Sequence, residues 1–319
     1  MEHEIAGQAV KAAMDGALVG TADRKKEPMT GKKALKAMER VMNALFFICG
    51  MVAVAFVLLI SIYLIISGLP AILEIGPINF LFGTRWYAST GDFGIFAIIL
   101  TSFAGTPGAI LVGVPIGLMT AIFLSKVAPP KFAAVVHAAV ELLAGIPSVV
   151  YGLVGMMVLL PAIREFFNIP AGDSLLAAII VLAVMILPSI ISVSETALKA
   201  VPKEYEEASL ALGATELETY FRVTAPAAKS GIAAAVVLGV GRAIGEAMAI
   251  LMVAGNVANM PSMLSSVKFL TTAIASEMSY AAVGSLQRNA LYSIGLVLFL
   301  FIMLINVVLD VFLKRDKEA

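Results

Sequence analysis

Two ionisable side chains, Arg242 and Glu246, stand four residues apart within a long apolar stretch of the sequence. In a continuous helix this spacing puts both on one face. An ionised side chain at the centre of a bilayer costs about 2.5–3.5 kcal/mol on insertion scales, and such residues typically mark a substrate path. The planar guanidinium can bind two oxygens of an oxyanion at once, and a neighbouring carboxylate keeps the anion from binding too tightly. The alternative is a self-neutralised ion pair that only fixes helix packing.

A second candidate segment carries no charge. The residues Gly145-Ile146-Pro147-Ser148 interrupt another apolar run and predict an irregular turn, since proline breaks a helical segment. Gly145, Pro147 and Ser148 are therefore candidates for the same path, where backbone amides can assist an anion. A packing kink without any substrate role is the alternative.

The elements that must position these residues are membrane helices. Hydrophobic residues make up 60% of the 319-residue chain and charged residues 14%, against about 25% charged in soluble domains. A membrane-spanning helix needs about 20 apolar residues. The six predicted spans are 44–67, 94–125, 132–163, 175–193, 227–254 and 290–313. We expect the second and third of these spans to kink or break, at 106–108 and 145–147.

The distribution of positive charge predicts the orientation of these spans. With both termini inside, 17 Lys and Arg lie on the inner side and four on the outer side. This bias predicts that both termini are cytoplasmic. The polar residues 1–41 form a predicted N-terminal extension without an assigned function, and residues 42–319 form the predicted transmembrane domain.

The longest polar stretch between spans on the inner side, 194–226, carries helix signals. Pro202 suits a first helical turn and Gly213 a left-handed helix end. Thr215 and Glu218 offer a capping box for a second short helix, which Pro226 is expected to close. The exposed apolar residues of such a helix-turn-helix need either a protein partner or the ends of this chain's own helices.

This loop resembles the EAA loop of ABC importer permeases, commonly written E-A-A-x3-G-x9-I-x-L-P. The resemblance implies that the stretch 194–226, hereafter the coupling loop, docks in a groove of an ATPase subunit. Two of its residues, Ser209 and Ala225, differ from the commonest ones while the spacing is kept. The matching residues are Glu207, Ala208, Ser209, Gly213, Val223, Ala225 and Pro226.

Two further segments, 141–152 and 241–256, resemble phosphate-specific ABC importer permeases, and the PstC-type subunit more than the PstA-type. The resemblance extends from about Met42 to the end of the chain. It implies an all-α, MetI-like type I importer permease with six transmembrane helices, a multi-pass protein of the inner membrane. The implied partners are a PstA-type second permease, two ATPase subunits and an extracytoplasmic phosphate-binding protein. Arg242 and Glu246 match the intramembrane Arg and Glu of that family.

Other kinds of function find little support. The formal net charge is zero, which does not favour a nucleic-acid partner. One cysteine and two histidines do not indicate a metal site or a cofactor. The sequence has no phosphate-binding loop motif, so we do not expect the chain to be an enzyme. ATP would then be hydrolysed by partner subunits. The alternatives to phosphate import are an importer permease for another oxyanion, such as sulfate or molybdate, a stand-alone secondary transporter, and a non-transporting scaffold or sensor.

Overall fold

The computed structural model describes the backbone of residues 29–318 and the side chains of residues 38–308. The chain divides into two units, one ending at Ile60 and the other beginning at Ser61. In the first unit the described residues are helical, and their side chains from Met38 onward are exposed. Most of the predicted extension 1–41 lies outside the described residues, so its limits stay a prediction.

Helices dominate the described residues. In chain order they are α1 (Met29–Ile75), α2 (Pro77–Phe82), α3 (Phe96–Ile122), α4 (Pro130–Gly145), α5 (Ser148–Val154), α6 (Leu160–Phe167), α7 (Leu175–Lys199), α8 (Lys203–Ala211), α9 (Glu216–Thr219), α10 (Ala225–Ala227), α11 (Lys229–Gly245), α12 (Met248–Val253), α13 (Leu270–Glu277) and α14 (Leu286–Glu318). Wider π turns follow α3, α5 and α9, at Phe123–Val127, Gly155–Leu159 and Tyr220–Thr224. Two short strands, β1 (Trp86–Tyr87) and β2 (Asp92–Phe93), pair antiparallel.

The predicted all-α membrane architecture is confirmed, with two changes in where the spans lie. In the described part of the chain five helices are long and apolar enough to cross a membrane, and six if the pair 216–227 and 229–245, bent by 74°, forms one span. The third span is Ser148–Phe167 rather than 132–163. The reason is the break after Gly145, which leaves α4 with 16 residues, fewer than the roughly 20 that a span needs.

The second span does not break at 106–108, so of the expected kink or break the break is wrong. Helix α3 runs without a break from Phe96 to Ile122. A neighbouring helix supports it closely: a Cβ built on Gly113 or Gly117 would lie 2.7 Å from the side chain of Ile186 or Ile190. Glycine at these turns lets the two helices approach, and this packing supports the helix on either side of the proline.

Helix α7 is the central element of the second unit. Of its most apolar 18-residue window, 61% is buried, more than in the other described candidate spans. The side chain of Ile190 contacts glycines on both sides, because a Cβ on Gly239 of α11 would lie 3.2 Å from its Cδ1. Ser174 caps the helix start by accepting a hydrogen bond from the backbone N–H of Ala177 at 3.2 Å. Helices α3 and α11 are therefore fixed against one buried scaffold.

Candidate functional site

Arg242 lies in the last turn of α11 and its side chain is partly buried. Its Nη1 donates to Ser189 Oγ of α7 at 3.5 Å, the upper limit for a hydrogen bond. Among the side chains that the structure describes, no carboxylate forms an ion pair with Arg242. Most of its five N–H donors are therefore available to a ligand.

The expectation that Arg242 and Glu246 share one helical face is wrong, and so is the continuous span 227–254. Helix α11 ends at Gly245, and Glu246 has extended backbone with φ −72° and ψ 129°. Its carboxylate accepts a hydrogen bond from the backbone N–H of Ala249 at 2.9 Å, and its backbone carbonyl accepts one from the Thr271 hydroxyl at 2.7 Å. The side chain thus satisfies an unpaired N–H at the start of α12 instead of neutralising the arginine.

The predicted irregular turn at Gly145-Ile146-Pro147 is confirmed. Helix α4 ends at Gly145, and α5 begins at Ser148 with Pro147 before its first residue. Ile146 has φ −71° and ψ 129°, within one degree of Glu246. Each break thus follows a glycine and leaves two residues outside the helices.

The two breaks lie beside each other because the helices that follow them pack together. A Cβ built on Gly152 of α5 would lie 2.9 Å from Ala249 Cα and 2.9 Å from Met252 Sδ of α12. The Tyr151 hydroxyl donates to the Leu143 carbonyl oxygen at 2.6 Å and so links α5 back across its own break. Arg242, Glu246 and the Gly145–Ser148 turn therefore belong to one region, hereafter the paired breaks.

Next to the paired breaks is a cavity of about 420 Å³. Its lining includes Ile146, Val150 and Val181 and is almost entirely apolar. A cavity of this chemistry suits hydrocarbon or an apolar side chain rather than an anion. The side of the breaks that carries Arg242 is therefore the better candidate for a polar substrate.

The coupling loop has the predicted helix-turn-helix form. Its first arm is α8 (Lys203–Ala211) and its second arm is the helical stretch 216–227. Gly213 lies between them with φ +89°, a left-handed conformation that ends the first arm. Thr215 and Glu218 form the predicted capping box, and hydrogen bonds from the Thr215 backbone N–H and hydroxyl hold the pKa of Glu218 below its ordinary value. Pro226 does not close the second arm, because the chain stays helical to Ala227 and Pro226 lies in the first turn of α10, where a missing N–H is tolerated.

The predicted docking residues occupy α8 and its neighbours. Glu207 and Ala208 are exposed, as are Gly213 and Pro226. Ser209 is partly buried, and its Oγ lies 2.8 Å from Thr219 Oγ1. The serine that departs from the common alanine thus ties the two arms of the loop together.

Residues 113–315 match the family described as "Binding-protein-dependent transport system inner membrane component". The chain belongs to this family. It is 43% identical over 267 residues to the "Probable ABC transporter permease protein YqgH" of Bacillus subtilis, with 81% of this chain and 86% of the relative covered. It is 32% identical over 305 residues to the "Phosphate transport system permease protein PstC" of Haemophilus influenzae, with 89% and 95% covered.

Solved structures show the same fold. In the inward-facing methionine ABC transporter MetNI, one chain aligns with a TM-score of 0.52 at 22% identity, covering 70% of this chain and 94% of that one. A chain of a bacterial alginate ABC transporter in complex with a periplasmic protein aligns with a TM-score of 0.58 at 14% identity, covering 88% and 95%. The predicted MetI-like importer permease fold is confirmed.

In this transport component the structure also brings together residues that the sequence did not single out. Ser189 lies at Arg242, and Thr271 lies at Glu246. Lys126 pairs with Glu206 of the coupling loop, with Nζ 2.5 Å from Oε1. These partners are distant in sequence and share no local pattern that could reveal them.

A buried carboxylate joins α4 to α7. Glu195 has a side chain that is 3% exposed, and its Oε1 lies 2.7 Å from both His137 Nε2 and Lys199 Nζ. His137 thus pairs with a residue on another helix rather than with Glu141, four residues along its own helix. The cluster fixes how α4 packs against α7 next to the coupling loop.

Proposed function

We propose that this chain is the permease subunit of an ATP-driven importer of inorganic phosphate. In this proposal it forms the path across the cytoplasmic membrane together with a homologous, PstA-type permease. Two ATPase subunits drive it and an extracytoplasmic phosphate-binding protein supplies the substrate, while both termini lie in the cytoplasm. The observation that carries the proposal is the Arg242 guanidinium, which no described carboxylate neutralises.

In this proposal Arg242 is a transient anion site, and two features of its surroundings support that role. Phosphate offers several oxygens, and a guanidinium can bind two of them at once. The weak 3.5 Å contact to Ser189 leaves the arginine free to exchange it for the anion. Gly145, Pro147 and Ser148 flank the same path, because α5 and α12 pack beside each other after the two breaks.

In this proposal the coupling loop is where the ATPase subunits dock and pass on their motion. Glu207, Ala208 and Pro226 are exposed, as docking to a separate ATPase requires. The relatives named as permease proteins support this division of labour. They also disfavour the stand-alone secondary transporter, and those named for phosphate transport disfavour sulfate or molybdate as the cargo.

The experiment is uptake by the reconstituted complex. We would co-express this chain with its neighbouring genes, incorporate the complex into lipid vesicles and measure radiolabelled phosphate uptake with ATP enclosed. We expect uptake to require ATP and the binding protein, and to be lost in Arg242→Gln. Arg164→Gln, which removes an exposed arginine at the end of α6, is the matched control and should transport normally.

Three results would contradict the proposal. Uptake by this subunit alone without nucleotide would indicate a secondary transporter. Competition by excess sulfate as strong as that by unlabelled phosphate would change the cargo. Parent-like uptake by an assembled Arg242→Gln complex would remove the arginine from the path.

A further inference from the structure

The coupling loop is tied to the end of α3 by a closed set of polar contacts. Lys126 Nζ lies 2.5 Å from Glu206 Oε1, and the Thr224 hydroxyl donates to the same oxygen at 3.0 Å. The Tyr220 hydroxyl donates to the backbone carbonyl of Lys126 at 3.3 Å. Glu206 belongs to the first arm of the loop, and Tyr220 and Thr224 belong to the second. Both arms are therefore fastened to one point on α3's end.

These contacts are largely shielded from water. The side chains of Lys126 and Glu206 are 13% and 18% exposed, and Thr224 is fully buried. Burial together with the nearby charges of Glu216 and Glu206 raises the pKa of Tyr220. A charge pair with so little access to water resists separation, because each partner would be left desolvated and unpaired.

The backbone is adapted to this arrangement at both ends. Lys126 lies in a π turn in which the Ala128 N–H donates to the Phe123 carbonyl at 2.8 Å. Tyr220 and Thr224 are the first and last residues of a second π turn. Such turns are rare, occur frequently at functional sites and change the direction in which side chains point.

Two adjacent glutamates of the loop, Glu206 and Glu207, lie in different surroundings. Glu206 is enclosed between the two arms and Lys126, whereas Glu207 is exposed. An exposed carboxylate can reach a docked protein, while an enclosed one can only hold its own chain. The EAA pattern includes Glu207 and leaves Glu206 without a role.

We propose that Glu206 is a positioning residue that locks the coupling loop to α3 through Lys126, so that the two move as one body. This inference rests on the proposed function, in which the loop receives motion from an ATPase. A loop attached only by flexible chain would absorb that motion. Because α3 packs along α7, which carries Ser189 beside Arg242, the lock gives the motion a rigid path towards the paired breaks.

The test compares transport with ATP hydrolysis in the same vesicles. The reconstituted complex with its binding protein is assayed for radiolabelled phosphate uptake and for ATP hydrolysis. In Lys126→Ala and Glu206→Gln we expect phosphate moved per ATP to fall about tenfold or more, because each variant leaves the other member of the pair buried and without its charged partner. Lys126→Arg keeps the charge and should retain most of the coupling. Lys131→Ala, which removes an exposed lysine five residues along the chain, is the matched control and should behave like the parent.

Thr224→Val covers the case in which the charge variants fail to assemble. It removes only one hydrogen bond to Glu206 Oε1, and we expect a smaller fall in the same ratio. The proposal is overturned if the assembled Lys126→Ala and Glu206→Gln complexes move as much phosphate per ATP as the parent. If those two variants do not assemble, a parent-like amount of phosphate per ATP in Thr224→Val overturns it. Absence of ATP-dependent uptake in the parent complex would instead refute the proposed function, so the two failures are distinguishable.

Discussion

The contact between α5 and α12 gives a prediction whose size follows from the structure. Gly152→Ala adds a methyl group 2.9 Å from Ala249 Cα and 3.0 Å from its carbonyl oxygen. Ordinary carbon contacts are about 3.5–4.0 Å, so the helices must separate by several tenths of an ångström. Met252 Sδ, which is also 2.9 Å away, can rotate, but the two Ala249 atoms are backbone and cannot. Overpacking of this kind costs about 1–3 kcal/mol.

The matched control is Gly50→Ala in α1, where a Cβ would meet nothing within 4 Å. Both glycines are helical, so both variants share a gain in helix propensity of about 1 kcal/mol or less. The difference between them isolates the clash. We expect Gly152→Ala to melt about 2–6 °C below Gly50→Ala in thermal unfolding of the assembled complex, and to transport less phosphate because the paired breaks are displaced. A Gly152→Ala complex that melts at or above the control would refute the reasoning.

Three further predictions follow from individual contacts. Thr215→Ala removes the hydroxyl from the capping box: Glu218 loses one of the two hydrogen bonds that lower its pKa, the backbone N–H of residue 215 remaining as the other, and the Glu218 N–H loses its acceptor. Amide-exchange protection of α9 should therefore fall, and equal protection in parent and variant would contradict this. In the parent the carboxylate's contribution is present above the unfolded-state pKa and is lost as the pH falls through the lowered folded-state pKa. Glu195→Gln leaves Lys199 without its buried charge partner and should destabilise the complex by about 1–3 kcal/mol in thermal unfolding; an unchanged melting temperature would argue against it. Arg242→Lys keeps the charge but loses the planar fork, so uptake should lie between parent and Arg242→Gln, and parent-like uptake would show that charge alone suffices.

The coupling loop is predictable from sequence because its signals are local. Gly213 supplies the left-handed turn, and Thr215 with Glu218 forms a cap that needs only four consecutive residues. What the sequence does not reveal is the attachment of the loop to α3, since Lys126 and Glu206 are 80 residues apart. Charge patterns predict pairs within a helix well and pairs between distant elements poorly.

The prolines likewise show that sequence alone does not decide where a membrane helix breaks. Pro147 breaks its helix and Pro107 does not, although both lie in overlong apolar runs. Next to Pro107 the helix packs tightly on α7, since a Cβ built on Gly108 would lie 2.7 Å from Ile179 Cδ1. A proline therefore marks where a break is allowed, and tertiary contacts decide whether it forms.

The break after Gly245 has no proline, and its partners explain it. The Thr271 hydroxyl binds the carbonyl that a continuous helix would have used, and the Glu246 carboxylate binds an N–H at the start of α12. In a continuous helix Glu246 would instead lie one turn from Arg242 and could neutralise it. The break therefore keeps an unneutralised guanidinium in an apolar span, at a cost of about 2.5–3.5 kcal/mol on insertion scales. Under the proposed function, an anion bound at Arg242 would offset part of this cost. In that proposal the backbone feature that separates the two charges also leaves the guanidinium open to the anion.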